Sequence, residues 1–251
     1  MINFVGAGPG APDLITVRGQ QLIKEADIII YAGSLVNGEI LNWAKESCEI
    51  YNSAKMTLEE VLDVMKKGEE ESKMTVRLHT GDPSVYGAIR EQMDALDTFG
   101  IDYKVTPGVS SFCAAAAAVE KEYTLPSVSQ SVIITRMKGR TPVPDRESIK
   151  SFAKHQATMV IFLSTGLVKE VSSELIEGGY SPDTKAALVY KASWAEEKIV
   201  YGTVGTLENM AKDNNITKTA LILVGDFLGD KYEKSLLYDK TFTHEFRKGI
   251  E

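Results

Sequence analysis

Ile2-Asn3-Phe4-Val5-Gly6-Ala7-Gly8-Pro9-Gly10-Ala11-Pro12-Asp13-Leu14-Ile15-Thr16 opens the chain as a strand-like run that breaks into a glycine-rich turn. The pattern restarts at Leu14-Ile15-Thr16 as a helix. A dinucleotide fingerprint would place a third glycine five residues after the first, ahead of a helix whose bare N–H groups face a pyrophosphate. Ala11 stands at that place, and Pro9 and Pro12 each remove an N–H from the turn. A P-loop would close with Gly-Lys-Ser/Thr, which is absent here. The turn therefore reads either as backbone brought close to a ligand other than a phosphate, or as a tight strand-to-helix connection with no ligand.

Outward from this turn, strand and helix signals alternate. Ile28–Tyr31, Cys48–Tyr51, Thr75–Leu78 and Tyr103–Val105 read as short strands, and Val17–Ala26, Leu58–Lys67 and Ala88–Phe99 as helices between them. Helices of this length between strands make βαβ crossovers and a mostly parallel sheet. A further helix, Ser110–Glu120, runs through Ala114 to Ala118, with almost no side-chain bulk. The pattern weakens at Thr124–Gln130, and the second half changes character. Val132–Ile134, Thr158–Leu163, Ala186–Tyr190, Ile199–Val204 and Ala220–Val224 read as strands, with helices at Glu147–Lys154, Lys169–Ile176 and Thr206–Lys212. Adjacent strand signals near 186–204 indicate antiparallel pairing and a mixed sheet. The expected division is a 1–122 N-terminal α/β domain, a 123–229 C-terminal mixed α/β domain and a charged 230–251 extension.

The chain of 251 residues is 43% apolar and 25% charged, with no apolar run near the roughly 20 residues of a membrane span. No signal-like segment leads it, so a soluble cytoplasmic protein is expected. Cys48 and Cys113 read as buried core thiols, and His79, His155 and His244 lack ligand spacing, so no protein-held metal is expected. A net charge of −7 argues against a nucleic-acid partner but not against an anionic small molecule in a basic cleft.

Three further segments stand out. Thr80-Gly81-Asp82-Pro83-Ser84-Val85-Tyr86-Gly87 follows a strand, where open α/β sheets place ligands. Asp82 reads equally as a ligand contact or as the cap of a helix beginning near Tyr86. Pro107-Gly108-Val109-Ser110-Ser111 is a second strand-to-helix turn, with Ser110 as cap or contact. Thr135–Pro144 carries Arg136, Lys138 and Arg140, either a solvated face or an anion site.

In this order and spacing, the three glycine-bearing segments closely resemble the tetrapyrrole (class III) S-adenosylmethionine-dependent methyltransferases, across about residues 1–228. Tyr31–Val36, His79–Ile89, Thr135–Pro144 and Val189–Trp194 resemble the cobalamin-pathway members most. Thr80 and Tyr86-Gly87-Ala88 depart from the pattern of the uroporphyrinogen-acting members. The resemblance implies two α/β domains with the cofactor in the cleft between them, and a homodimer. It also implies S-adenosyl-L-methionine as methyl donor, S-adenosyl-L-homocysteine as product and a tetrapyrrole as acceptor. Carried over position by position, the cofactor contacts are Pro9, Thr80, Gly81, Asp82, Val85, Tyr86, Ser110, Ser111, Phe162, Tyr190, Thr219 and Ala220. Arg18, Lys55, Arg136 and Arg140 are the candidate contacts for the carboxylates of the substrate. No general base is assigned. A nucleotide-dependent oxidoreductase is the rival enzyme class, disfavoured by the missing third glycine and by Asp27 preceding its strand. A non-catalytic tetrapyrrole carrier would not need the cofactor turns.

Overall fold

The computed structural model describes residues 1–250. The chain folds as two compact units, Met1–Ala115 with Lys191–Glu197, and Ala116–Tyr190 with the residues from Lys198 onward.

The first unit is built on a five-stranded sheet of order β3-β2-β4-β1-β5, parallel throughout: β1 Ile2–Gly6, β2 Ile28–Tyr31, β3 Glu49–Asn52, β4 Thr75–His79 and β5 Tyr103–Thr106. β1 and β4 are buried along their whole length, as central strands covered on both faces must be. One face packs Phe4, Ile28 and Ile30 under helices α2 (Leu58–Glu70) and α3 (Arg90–Phe99). The other packs Val5, Ile29, Val76 and Leu78 with Ile23 of α1 (Val17–Glu25). The helix starts are written locally. Thr16 caps α1 by accepting from Gly19 N at 3.1 Å, and Thr57 with Glu60 forms a reciprocal capping box on α2. Helix α1 thus begins at Val17, as the Val17–Ala26 pattern has it, and the restart at Leu14-Ile15-Thr16 is not yet α-helical. Pro12–Leu14 makes only one short 3₁₀ turn, because Ile15 and Thr16 after it are extended, with ψ 152° and 149°.

The strand order creates a switch point. From β1 the chain crosses through α1 to β2, on the β4 side of β1, whereas from β4 it crosses through α3 to β5, on the opposite side of β1. Neighbouring strands β1 and β4 thus send their connections in opposite directions. Both connections leave from the carboxyl edge of the sheet, where open α/β sheets bind ligands at such a point.

The second unit carries a mixed sheet of order β6-β7-β10-β8-β9: β6 Val132–Arg136, β7 Thr158–Phe162, β8 Lys185–Tyr190, β9 Lys198–Thr203 and β10 Ala220–Val224. β6 and β7 are parallel, and the other neighbours are antiparallel. Its core gathers Met159, Ile161, Leu188 and Ile222 against α5 (Ile149–Ala153), α6 (Val168–Glu177) and α7 (Leu207–Asp213).

The division between units falls inside helix α4 (Ser111–Ala118), seven residues before the expected 122/123 boundary, and Lys191–Glu197 returns to the first unit. Neither feature has a local signal, because an alanine helix runs through the first and a short loop forms the second. Cys48 is half-buried, but Cys113 is exposed on α4, so the expectation of a buried core thiol fails there. The neighbours of Cys113 one turn away, Ser110, Ala116 and Ala117, are small and give a cysteine little cover. From Asp230 the extension is exposed apart from a few half-buried positions, among them His244 and Arg247. Among the described residues no helix is long and apolar enough to cross a membrane.

Candidate functional site at the carboxyl edge of the parallel sheet

The carboxyl ends of β1, β4 and β5 meet through glycine. A Cβ on Gly6 would lie 2.6 Å from both Gly108 Cα and Gly81 O, and one on Gly108 would lie 2.2 Å from Gly81 O. No side chain fits there, so these glycines allow three strand-end backbones to touch one another. Gly8 and Gly81 pair across the switch point, with Gly81 N donating to Gly8 O at 2.7 Å and Gly8 N to Gly81 O at 3.3 Å. Much of the glycine in the opening turn thus serves backbone-to-backbone packing rather than bare approach to a ligand. Gly81 differs: it has φ +61°, and a Cβ there would meet Ser110 and Ser111 only at ordinary contact distance, 3.5 Å.

Asp82 stitches two of these loops together. Its Oδ2 accepts from Gly108 N at 2.9 Å, and its Oδ1 accepts from Ser84 N at 2.8 Å and from the Ser84 hydroxyl. Burial pushes this carboxyl up, but the Ser84 hydroxyl and the N–H groups of Gly108 and Ser84 outweigh it and hold it below the usual aspartate value. Asp82 does not cap a helix, because α3 begins only at Arg90. The intervening loop holds Tyr86 and Ala88 at φ 56° and 49°. Non-glycine residues in this region are uncommon and gather at functional loops. Val85 beside them is half-buried and Tyr86 exposed. Ser110 is buried at the start of α4, its carbonyl accepting from Cys113 and Ala114, while Ser111 is half-buried.

Beneath the loop, β4 turns Arg77 and His79 into the α2/α3 side of the sheet. Arg77 donates to Gln92 Oε1 at 3.1 Å and to Ile30 O at 3.2 Å, and burial lowers its guanidinium to about 10. His79 is buried with no partner for Nε2; burial, and secondarily the Arg77 charge, lower it to about 3, so it is neutral at physiological pH.

In the first unit the structure therefore brings together Pro9, Thr80, Gly81, Asp82, Val85, Tyr86, Ser110 and Ser111 along one sheet edge. In the second unit Phe162, Tyr190, Thr219 and Ala220 also converge. β10 begins at Ala220 opposite Tyr190, the last residue of β8, and its antiparallel register against β7 brings Phe162 to the same end. Leu163 and Thr219 there hold φ 52° and 58°. The carbonyls of this edge are tied down by Ser164, which donates to Phe162 O at 2.6 Å, and by Thr165, which donates to Ala220 O at 3.0 Å. The candidate cations are less uniform. Arg18, Lys55 and Arg140 are exposed, whereas Arg136 is half-buried and donates to Met137 O, Thr141 O and Pro142 O, bracing its own loop. Sequence reading missed Asn37, Ser193 and Trp194, whose side chains bond the glycine-rich turn at Gly10, Ala11 and Pro9. Ser193 and Trp194 lie inside a family-like segment, whereas Asn37 carried no signal.

The Tetrapyrrole (Corrin/Porphyrin) Methylases match residues 1–208, and the chain belongs to this family. More particularly, it is 57% identical over 248 residues to a cobalt-precorrin-4 C(11)-methyltransferase of Methanocaldococcus jannaschii, covering 98% of this chain and 96% of the relative. It is 49% identical to the enzyme of that name from Priestia megaterium, covering 100% and 98% of the two chains. Among solved structures, a cobalt precorrin-4 methyltransferase superposes with a TM-score of 0.89 at 48% identity, over 91% of this chain and 96% of that one. A uroporphyrin-III C-methyltransferase from Thermus thermophilus, solved with S-adenyl homocysteine, shares the fold at a TM-score of 0.75 and 24% identity, over 92% and 95%.

Proposed function

We propose that the protein transfers a methyl group from S-adenosyl-L-methionine to C11 of precorrin-4 in its cobalt-containing form, releasing S-adenosyl-L-homocysteine, in cobalamin biosynthesis. One observation carries this reading: identity is 57% and 49% to relatives named for the cobalt substrate, over nearly the whole of each chain, against 41% and 39% to relatives named for precorrin-4 itself.

The residues at the first sheet edge fit such a donor. Gly81 has no side chain to obstruct approach, Ser110 and Ser111 offer hydroxyls, and Val85 provides half-buried apolar surface. When bound, the donor supplies a methyl group already activated on a sulfonium. The chain's part is to hold, orient and dry the reactants, a contribution of about 7–11 kcal/mol where orientation is good. A conjugated ring carbon of the tetrapyrrole is itself nucleophilic, so no protein nucleophile is required. Asp82 shapes the loop by accepting from Ser84 and Gly108, and with Pro9, Thr80 and Tyr86 it is proposed as a further donor contact through its remaining acceptor capacity. In the second unit, Phe162, Tyr190, Thr219 and Ala220 are proposed as further donor contacts. Arg18, Lys55, Arg136 and Arg140 are proposed for the acceptor's carboxylates, with the exposed Arg18 and Arg140 suited to a two-pronged contact. The protein works in the cytoplasm as a homodimer.

The deciding experiment incubates the protein with cobalt-precorrin-4, metal-free precorrin-4 and methyl-labelled donor. Label at C11 of the cobalt form in preference to the metal-free form is expected. Label at another ring position, or binding of the tetrapyrrole without transfer, would overturn the reading.

A further inference from the structure

Lys191–Glu197 follows β8 in the chain and packs within the first unit, where it grips the glycine-rich turn. Trp194 Nε1 donates to Pro9 O at 3.0 Å, Ser193 Oγ accepts from Ala11 N at 3.0 Å, and Asn37 Nδ2 donates to Gly10 O at 3.0 Å. Side chains thus hold a backbone polar group on each of three successive residues. The indole also occupies the space above Gly10, where an added Cβ would lie 2.0 Å from Trp194 Cδ1 and 2.1 Å from Nε1. The three heavy atoms nearest that Cβ all belong to Trp194, and Gly10 does not have the positive φ that would itself demand glycine. Gly10 is therefore fitted to the tryptophan.

The gripping loop is itself held in shape. Lys191 and Ser193 have φ 48° and 70°, Glu197 accepts from Ser193 N at 2.6 Å, and Lys191 Nζ pairs with Glu196 at 2.9 Å while lying 5.0 Å from the Trp194 ring centre. A backbone conformation this uncommon persists only where its surroundings enforce it. From Trp194 the contacts continue without a gap: through Pro9 and Gly10 to Gly8, across the paired hydrogen bonds to Gly81, and through Asp82 to Gly108.

We propose that Trp194 is a positioning residue. Its clamp on Pro9 and Gly10 sets the Gly8–Gly81 pairing, and with it the loop that meets the methyl donor. The proposal rests on the methyltransferase reading above. An open cavity of about 310 Å³ beside the clamp is lined in part by Trp194, so solvent reaches the indole and its emission reports on the clamp.

The chain has two tryptophans, and Trp43→Phe leaves Trp194 as the only indole. In that background S-adenosylhomocysteine is titrated by calorimetry and by tryptophan emission, and the two curves should saturate together. Trp194→Phe, which keeps a ring over Gly10 but loses the N–H, should raise Kd about three-fold, and Trp194→Ala about thirty-fold. Gly10→Ala should weaken binding as severely as Trp194→Ala, yet add little in the Trp194→Ala background, because the three atoms nearest the new methyl group all belong to the indole. Parental Kd in both Trp194 variants, with constant emission in the titration, would overturn the proposal even if their melting temperatures fall, since that is what a purely structural residue would give. If Trp194→Ala does not fold, Trp194→Phe and the emission titration still decide. Absence of heat with the unsubstituted protein would instead sink the methyl-donor reading, and this inference with it.

Discussion

Replacing Asp82 with Asn tests whether the site is assembled by its loops or merely lined by them. Asn preserves shape but has one acceptor oxygen where Asp82 has two, and those two satisfy the N–H of Gly108 on one side and of Ser84 on the other. In either orientation the amide turns an N–H₂ toward a donor. A charge-assisted hydrogen bond contributes about 1.5–3 kcal/mol, and solvent access to a half-buried carboxylate draws the expected loss toward about 1–2 kcal/mol. For a chain of this size that is a fall of about 2–8 °C in melting temperature. Because the tie joins the loop bearing Gly81 to the turn bearing Ser110, affinity for S-adenosylhomocysteine should fall about ten-fold, a second effect that losing a helix cap would not produce. The pH dependence gives an internal control. The folded carboxyl is held below its unfolded value near 3.9, so its contribution is present above that pH and is lost as pH falls through the folded value. The stability gap between parent and variant should therefore close below about pH 4. Calorimetric melting at several pH values with parallel ligand titration reads both effects. A lowered melting point with unchanged affinity would make Asp82 a stitch without bearing on the ligand. An unchanged melting point would refute the hydrogen-bond argument itself.

Two glycines of the sheet edge, Gly6 and Gly81, should separate by cause. Gly6→Ala puts a Cβ 2.6 Å from fixed backbone and should cost about 3 kcal/mol or more, whereas Gly81→Ala meets space but a φ of +61° and should cost about 1–2 kcal/mol. Equal losses in denaturant titrations would contradict this separation. His79, held neutral to about pH 3, should make the protein lose about 2–3 kcal/mol between pH 6.5 and 4.5, because the unfolded chain binds a proton over that interval and the folded chain does not. His79→Leu should flatten that slope, and the same slope in parent and variant would exclude His79 as its source.

The alternation of strands and helices was legible in the sequence because its causes are local. Apolar runs such as Ile28-Ile29-Ile30, caps such as Thr16 and Thr57, and the turn chemistry of Gly and Pro act within a few residues. The antiparallel pairing of β8 and β9 was equally legible from their closeness in the chain. The three glycine-bearing strand ends could likewise be marked as the place to look. What each glycine does was not legible. Gly6 and Gly108 are required because backbones from β1, β4 and β5 meet there, and Gly10 because an indole 184 residues away in sequence lies on it. Asp82 offered the sequence reader a helix to cap, and only the folded chain shows its partner at Gly108, 26 residues on. Arg136 advertised a free cation, and the fold uses it to brace the carbonyls of its own loop. Periodicity and propensity record what a residue does for its own segment. Which distant backbone or side chain occupies the neighbouring space is decided only when the sheets and loops pack, and there the geometry of this site is set.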